Sequence, residues 1–267
     1  MFTELLGAHF VHTALIAGAI VAVVCGLMGP FVVTRGMAFA VHGTAELGLT
    51  GAAGGLLIGV SAATGALAGS LAVGVLFGVL GLRGRDRDTA TGTVLAAGLG
   101  LGVLFLYLSR KYATTGFGLL FGDITAVSDH QLHILTLVCG ALLLALIVIG
   151  RPLWFASVDP ETAEARGVPT RTLGIVFPVL LAAAVAETIQ VTGVLLILTL
   201  VITPAAAAQY LASRPSAVFA SSVAISLGST IGGILLALAQ SWPTSFFISS
   251  LSFTAYILAR LLAVVRR

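Results

Sequence analysis

Nine long apolar runs, separated by short polar breaks, leave this chain almost nothing from which to build a water-facing surface. They fall at about residues 12–33, 38–60, 62–82, 90–109, 132–150, 172–187, 190–211, 216–239 and 245–264. A hydrocarbon core needs about 20 apolar residues per helical span, so each run is the right length to cross once. Of the 267 residues, 58% are hydrophobic and only 9% are charged, whereas soluble domains carry about a quarter charged residues. The pattern predicts an all-α, polytopic transmembrane helix bundle of eight or nine spans, with residues 1–267 forming a single transmembrane domain. It excludes a soluble enzyme. The runs 172–187 and 190–211 are nearly continuous and fit either one broken helix or two short ones. The first run has no basic segment before it, so it is expected to remain as a span and not to be cleaved as a signal peptide.

Arginine sets the orientation. A cluster at Arg83, Arg85 and Arg87 and single residues at Arg35, Arg151, Arg166, Arg171, Arg214, Arg266 and Arg267 all fall between or beyond alternate spans. Placing them in the cytoplasm satisfies the positive-inside tendency; with nine spans the N-terminus then lies outside and the C-terminus inside. Arg110 and Lys111 resist this scheme. The net charge of +3 thus describes membrane topology and gives no reason to expect nucleic acid as a partner.

Small-xxx-small spacings at Gly51/Gly55, Gly55/Gly59, Gly74/Gly78, Gly98/Gly102 and Gly228/Gly232 let helix backbones approach closely in lipid. Cys25 and Cys139 sit inside apolar runs and are expected to be inert packing residues.

Ionisable residues within spans are expensive and mark function by default. Eight of the ten acids lie in expected loops or near the N-terminus; Glu46 and Glu187 do not. His42 precedes Glu46 by four residues, so in a helix the two share a face. Imidazole with carboxylate suits zinc, manganese or iron; the alternative is a hydrogen-bonded polar pair near a helix end. Glu187 is followed by Gln190 on the same face, with Thr188 and Thr192 nearby. That group fits either a second polar surface on a transport pathway or an interhelix hydrogen bond at a broken-helix joint. Asp123, Asp129, His130 and His133 are expected in an external loop. Walker A, H-E-x-x-H and G-x-S-x-G sequences are absent, which removes the usual signs of nucleotide binding or hydrolysis on this chain.

Four stretches resemble the membrane permease of ABC-type zinc/manganese importers. They are Thr34-Arg35-Gly36-Met37 through Gly51; Asp88-Thr89-Ala90-Thr91-Gly92; Leu120-Phe121-Gly122-Asp123-Ile124; and Asp159-Pro160-Glu161-Thr162-Ala163 with Gly167, continuing through Gln190-Val191-Thr192-Gly193-Val194-Leu195-Leu196 to Pro204-Ala205-Ala206-Ala207-Ala208. The likeness runs from about Gly26 to Ile257. It implies a type II-importer-like permease in the bacterial inner (plasma) membrane, with no enzyme activity and no intrinsic cofactor. It also implies that Zn²⁺ or Mn²⁺ is the cargo, zinc ahead of manganese. The implied partners are a second permease copy, a cytoplasmic ABC ATPase dimer that supplies the hydrolysis, and an extracytoplasmic metal-binding protein.

The family places aspartate first and histidine second in its metal-coordinating pair. Here His42 comes first and Glu46 second, and Ala45 stands where the family has serine. Ligand types and spacing survive; their order is exchanged. The segment 157–170 matches the ATPase-contacting region, with Asp159, Pro160, Glu161, Ala163 and Gly167 as its marks. Its residues also spell a short helix: Asp159-Pro160-Glu161 is a good start and Gly167-Val168-Pro169 a good stop. The competing class is a secondary carrier or channel for metal ions, which would need more intramembrane charges than the two visible acids.

Overall fold

A chain in lipid must satisfy its backbone polar groups within each segment, and helices do this without a partner. The computed structural model describes residues 9–80, 85–108, 124, 127–240 and 242–265. Among them there is no strand, and ten helices follow in order: α1 (His9–Thr34), α2 (Ala38–Leu57), α3 (Ala62–Leu80), α4 (Arg85–Leu108), α5 (Asp129–Val158), α6 (Pro160–Ala165), α7 (Thr170–Thr192), α8 (Val194–Leu211), α9 (Pro215–Gln240) and α10 (Thr244–Val265). All except α2 and α6 are long and apolar enough to cross a membrane by themselves. At 20 residues, α2 would span about 30 Å, and it lies within the bundle against α3, α4, α7 and α8. It has the length of a ninth crossing but not the apolar composition of the other eight.

The ends of the bundle are fixed by contacts. Gln209 near the end of α8 donates to Thr34 at the end of α1 (3.4 Å). The rings of Phe31 (α1), Trp154 (α5), Phe177 (α7) and Phe219 (α9) form one cluster, with centroids 5.0–5.9 Å apart. Arg35 and Arg171 line the same end, which the positive-inside tendency makes the cytoplasmic one. At the opposite end the α2–α3 turn lies beside the start of α5.

Several boundaries differ from those the sequence suggested. α5 begins at Asp129, not near residue 132, because Ser128 and Gln131 form a reciprocal capping box; Asp129, His130 and His133 therefore belong to a helix and not to a loop. The same helix runs on past Arg151 and Pro152 to Val158, longer than a bilayer core requires. α4 starts at Arg85, inside the arginine cluster. Glu187, Thr188 and Gln190 all lie within α7, and the break that interrupts the run 172–211 falls only at Gly193 (φ 79°). No broken-helix joint exists at Glu187. Asp123, Arg83, Arg110 and Lys111 lie outside the described residues.

Glycines place α2. A Cβ on Gly51 would come 2.8 Å from Gly69 Cα, and one on Gly55 would come 3.0 Å from Gly65 Cα. Gly98 and Gly102 of α4 pack on Leu47 and Thr50 of α2, and Gly74 and Gly78 of α3 on α7. Gly59 instead makes the α2–α3 turn (φ 82°), and a Cβ on Gly228 would meet only open space. Thr50 bridges to α4 by donating to Gly98 O (2.9 Å), and Ser70 of α3 donates to Thr44 O of α2 (3.2 Å).

Replacing Gly65 by leucine should force α2 and α3 apart and destabilise the solubilised protein by about 1–3 kcal/mol, as overpacking does. Gly100→Ala, where a Cβ meets nothing within 4 Å, should leave the melting temperature unchanged or raise it. Equal melting temperatures for the two variants would contradict the close-packing role.

Candidate metal pathway and coupling site

His42 and Glu46 stand one turn apart on α2, both half-buried. No hydrogen bond between them occurs, and among the described residues His42 Nδ1 is a buried polar atom without a hydrogen-bond partner. A satisfied polar pair, one of the two readings the sequence left open, would not leave that nitrogen orphaned. Phe39, on the same face three residues earlier, is 59% exposed. The other faces of α2 are occupied: Gly48, Gly51 and Gly55 face α3, and Leu47, Thr50 and Gly54 face α4. With α7 and α8 also packed on α2, the half-buried His42 and Glu46 and the exposed Phe39 mark the face that this chain covers least. Among the described residues no group of three or more His, Cys, Asp or Glu is placed to hold a metal, so His42 and Glu46 stand as a pair with no third such group beside them.

Below this pair, at the cytoplasmic end, a cavity of about 770 Å³ is lined by Arg35, Met37, Phe77, Thr91, Glu164 and Arg171, among others. Arg35 stood in the sequence as a topology mark and within the first family-like stretch, and the structure gives it more to do. Its Nε donates to Ser157 Oγ (2.7 Å), and its guanidinium lies 5.3 Å from the centre of the Phe177 ring. Ser157 in turn donates to Leu153 O. The turn that starts α2 is thereby tied to the last turn of α5 and to α7.

Two residues beyond Ser157 the short helix α6 begins. Asp159 is its N-cap, accepting from Thr162 N at 3.0 Å, and Pro160 opens the first turn. The Thr162 side chain and backbone amide hold the Asp159 carboxyl below the usual carboxylate range. Gly167 adopts φ 81° just past the end, a backbone that favours glycine. Ala163 is fully buried against the bundle, while Glu161 and Glu164 are exposed. The helix start and stop read from residues 159–169 are both present.

Glu187 lies elsewhere. Ile189 of α7 faces Gly48 of α2, and Glu187, two residues earlier, is turned about 200° away round the helix. It sits beside Cys139 of α5 and lines a crevice between α3 and α5, together with Gln190. Cys25 of α1 lies near Cys139 and Thr188, and both cysteines are buried in the same core cluster, a proximity that spacing could not show. His9 lies 3.7 Å from Asp129 at the exposed outer end.

The model of the ABC 3 transport family matches residues 8–263 of this chain. The manganese transport system membrane protein MntC of Halalkalibacterium halodurans is 27% identical over 259 residues, covering 97% of this chain and 89% of that protein. The manganese import system permease protein ScaB of Streptococcus parasanguinis is 31% identical over 201 residues, covering 75% and 71%. Among solved structures, PsaBC from Streptococcus pneumoniae in complex with Fab superposes with a TM-score of 0.85 at 26% identity, covering 97% of this chain and 94% of that one.

Asp159→Ala should fray α6, read as faster proteolysis near residues 157–167, and Asp159→Ser should restore protection because serine also caps. Because the carboxyl is depressed in the folded state, its capping contribution is complete above the unfolded value of about 3.9. That contribution disappears as pH falls through the lower folded value. Proteolytic protection that is the same in the alanine variant and the wild type at neutral pH would remove Asp159 from this role.

Proposed function

The chain belongs to the ABC 3 transport family, a multi-pass protein of the bacterial plasma membrane, and we propose that it is the permease of an ATP-powered importer for divalent transition metal. The observation that carries this is the orphaned His42 nitrogen beside Glu46 on the least covered face of α2. A second copy of the chain laid against that face would join two histidines to two carboxylates, a mixed nitrogen and oxygen set suited to first-row metals. Buried ionisable groups in lipid are retained where they line a pathway. The relatives' names favour manganese over the zinc that the residues suggested first, and carboxylate oxygens from both copies suit manganese well. The same family membership disfavours the secondary-carrier alternative.

Hydrolysis belongs to a separate ATPase dimer, and α6 is the element that meets it. Its exposed Glu161 and Glu164 offer charge to a cytoplasmic partner, and its buried Ala163 seats it on the bundle. Movement of α6 would reach α2 through Ser157 and Arg35. An extracytoplasmic metal-binding protein would deliver the ion at the opposite end.

His42→Ala and Glu46→Ala should each abolish manganese-dependent growth and reduce radiolabelled manganese uptake by at least tenfold while the assembled complex still purifies. Wild-type uptake of both manganese and zinc in both variants would overturn the pathway assignment.

Charge reversal at Glu161 and Glu164 together should detach the ATPase or uncouple its hydrolysis from uptake. Unchanged co-purification with unchanged uptake would place the contact elsewhere.

A further inference from the structure

Outside the His42–Glu46 face, the bundle holds, among the described residues, one buried acidic side chain. Glu187 is only 6% exposed, and among the described residues its carboxylate has neither a hydrogen bond nor a cationic partner. It is not stranded in lipid, because it lines a crevice of about 230 Å³ between α3 and α5. The mouth of the crevice carries Ser61, from the turn between α2 and α3, Thr64, from the first turn of α3, and Gln131, from the first turn of α5. Leu67, Val127, Ile134, Leu135 and Val191 make the rest of its walls apolar. That is the end opposite the arginines, so the crevice opens outward.

The donors are unequal. Gln131 already accepts from Ser128 N with its Oε1 (3.0 Å) and serves as wall. Gln190 ties its amide nitrogen back to Ala186 O (3.4 Å), which leaves its Oε1 free, and it stands on the Glu187 face three residues on. Ser61 and Thr64 are hydroxyls bonded to each other (2.8 Å), each with acceptor capacity left. At about 30 Å³ per water, the crevice has room for several waters with an ion. One carboxylate, neutral oxygens and retained water is how hard divalent cations are commonly held. A carboxylate buried without counter-charge is costly, and a cation is the partner that would relieve it.

We propose that this crevice is a second divalent-cation site, formed by Glu187 and Gln190 with the Ser61 and Thr64 hydroxyls at its mouth, separate from His42 and Glu46. Glu187 faces away from α2, so the two sites do not share an ion. The crevice holds a partly hydrated cation at the outer end of the bundle. This assignment rests on the crevice itself and not on the transport reading.

The test counts Mn²⁺ bound to the full permease–ATPase complex in phosphatidylcholine nanodiscs, by electron paramagnetic resonance of the free ion. Glu187→Gln should lose about one bound Mn²⁺ per chain, or weaken that class at least tenfold, with an unchanged metal-free melting temperature. The double variant His42→Ala, Glu46→Gln should keep that class. If Glu187→Gln fails to assemble, Ala63→Phe, which fills the crevice from its rim, replaces it and should produce the same loss. Undiminished Mn²⁺ binding in whichever of these variants assembles overturns the site. So does loss of all binding in the double variant, or displacement of the Glu187-dependent ion by sodium at equal concentration. Failure of the uptake experiments on His42 and Glu46 would leave this count untouched.

Discussion

Everything that positions the candidate pathway depends on how closely α2 can approach α3 and α4. That helix carries His42 and Glu46 and is the only long one too polar to cross a membrane on its own composition. In lipid there is no hydrophobic force between helices, so association comes from packing and interhelical hydrogen bonds. Gly51, Gly55, Gly65 and Gly69 bring the two backbones into contact. Thr50 and Ser70 then bond to backbone carbonyls of α4 and α2. These contacts cover two sides of α2 and leave the His42 side the least covered.

The cytoplasmic end is built differently, from rings and one guanidinium. Phe31, Trp154, Phe177 and Phe219 gather four helices around one aromatic cluster, and Arg35 caps it while bonding to Ser157. The Arg35–Ser157 bond links the turn before α2 to the end of α5, two residues ahead of the short helix α6. The outer end gathers Trp242, Phe246 and Phe247 at the α9–α10 turn, whereas the Glu187 crevice there is walled by α3 and α5 and floored by α7. Close backbone packing, an aromatic floor and a largely apolar crevice holding one buried carboxyl thus give the two ends and the middle of the bundle distinct physical characters.

Hydropathy marked all nine long helices as apolar runs, because twenty-residue apolar runs have few alternatives in a bilayer, although α2 falls short of the apolarity of the other eight. The helix start at Asp159 and stop at Gly167 were equally legible, since capping and positive φ are local properties. Boundaries failed where a local signal opposed the hydropathy: the Ser128–Gln131 capping box extended α5 into what looked like a loop. The polar residues around Glu187 looked like a joint, yet the helix passes through them to Gly193.

Residue order by itself determined the class, the arginine-rich end, the His42–Glu46 pairing on one helix face and the short cytoplasmic helix. Each follows from composition or from spacings within one segment. Only the tertiary structure decided which face of α2 is covered least, that Arg35 links α2 to Ser157 and Phe177, that Cys25 lies near Cys139, and that Glu187 points into a separate crevice. Those depend on how neighbouring helices are rotated and how near they stand. Rotation is set by many small contacts between segments far apart in the chain, and no local spacing records it.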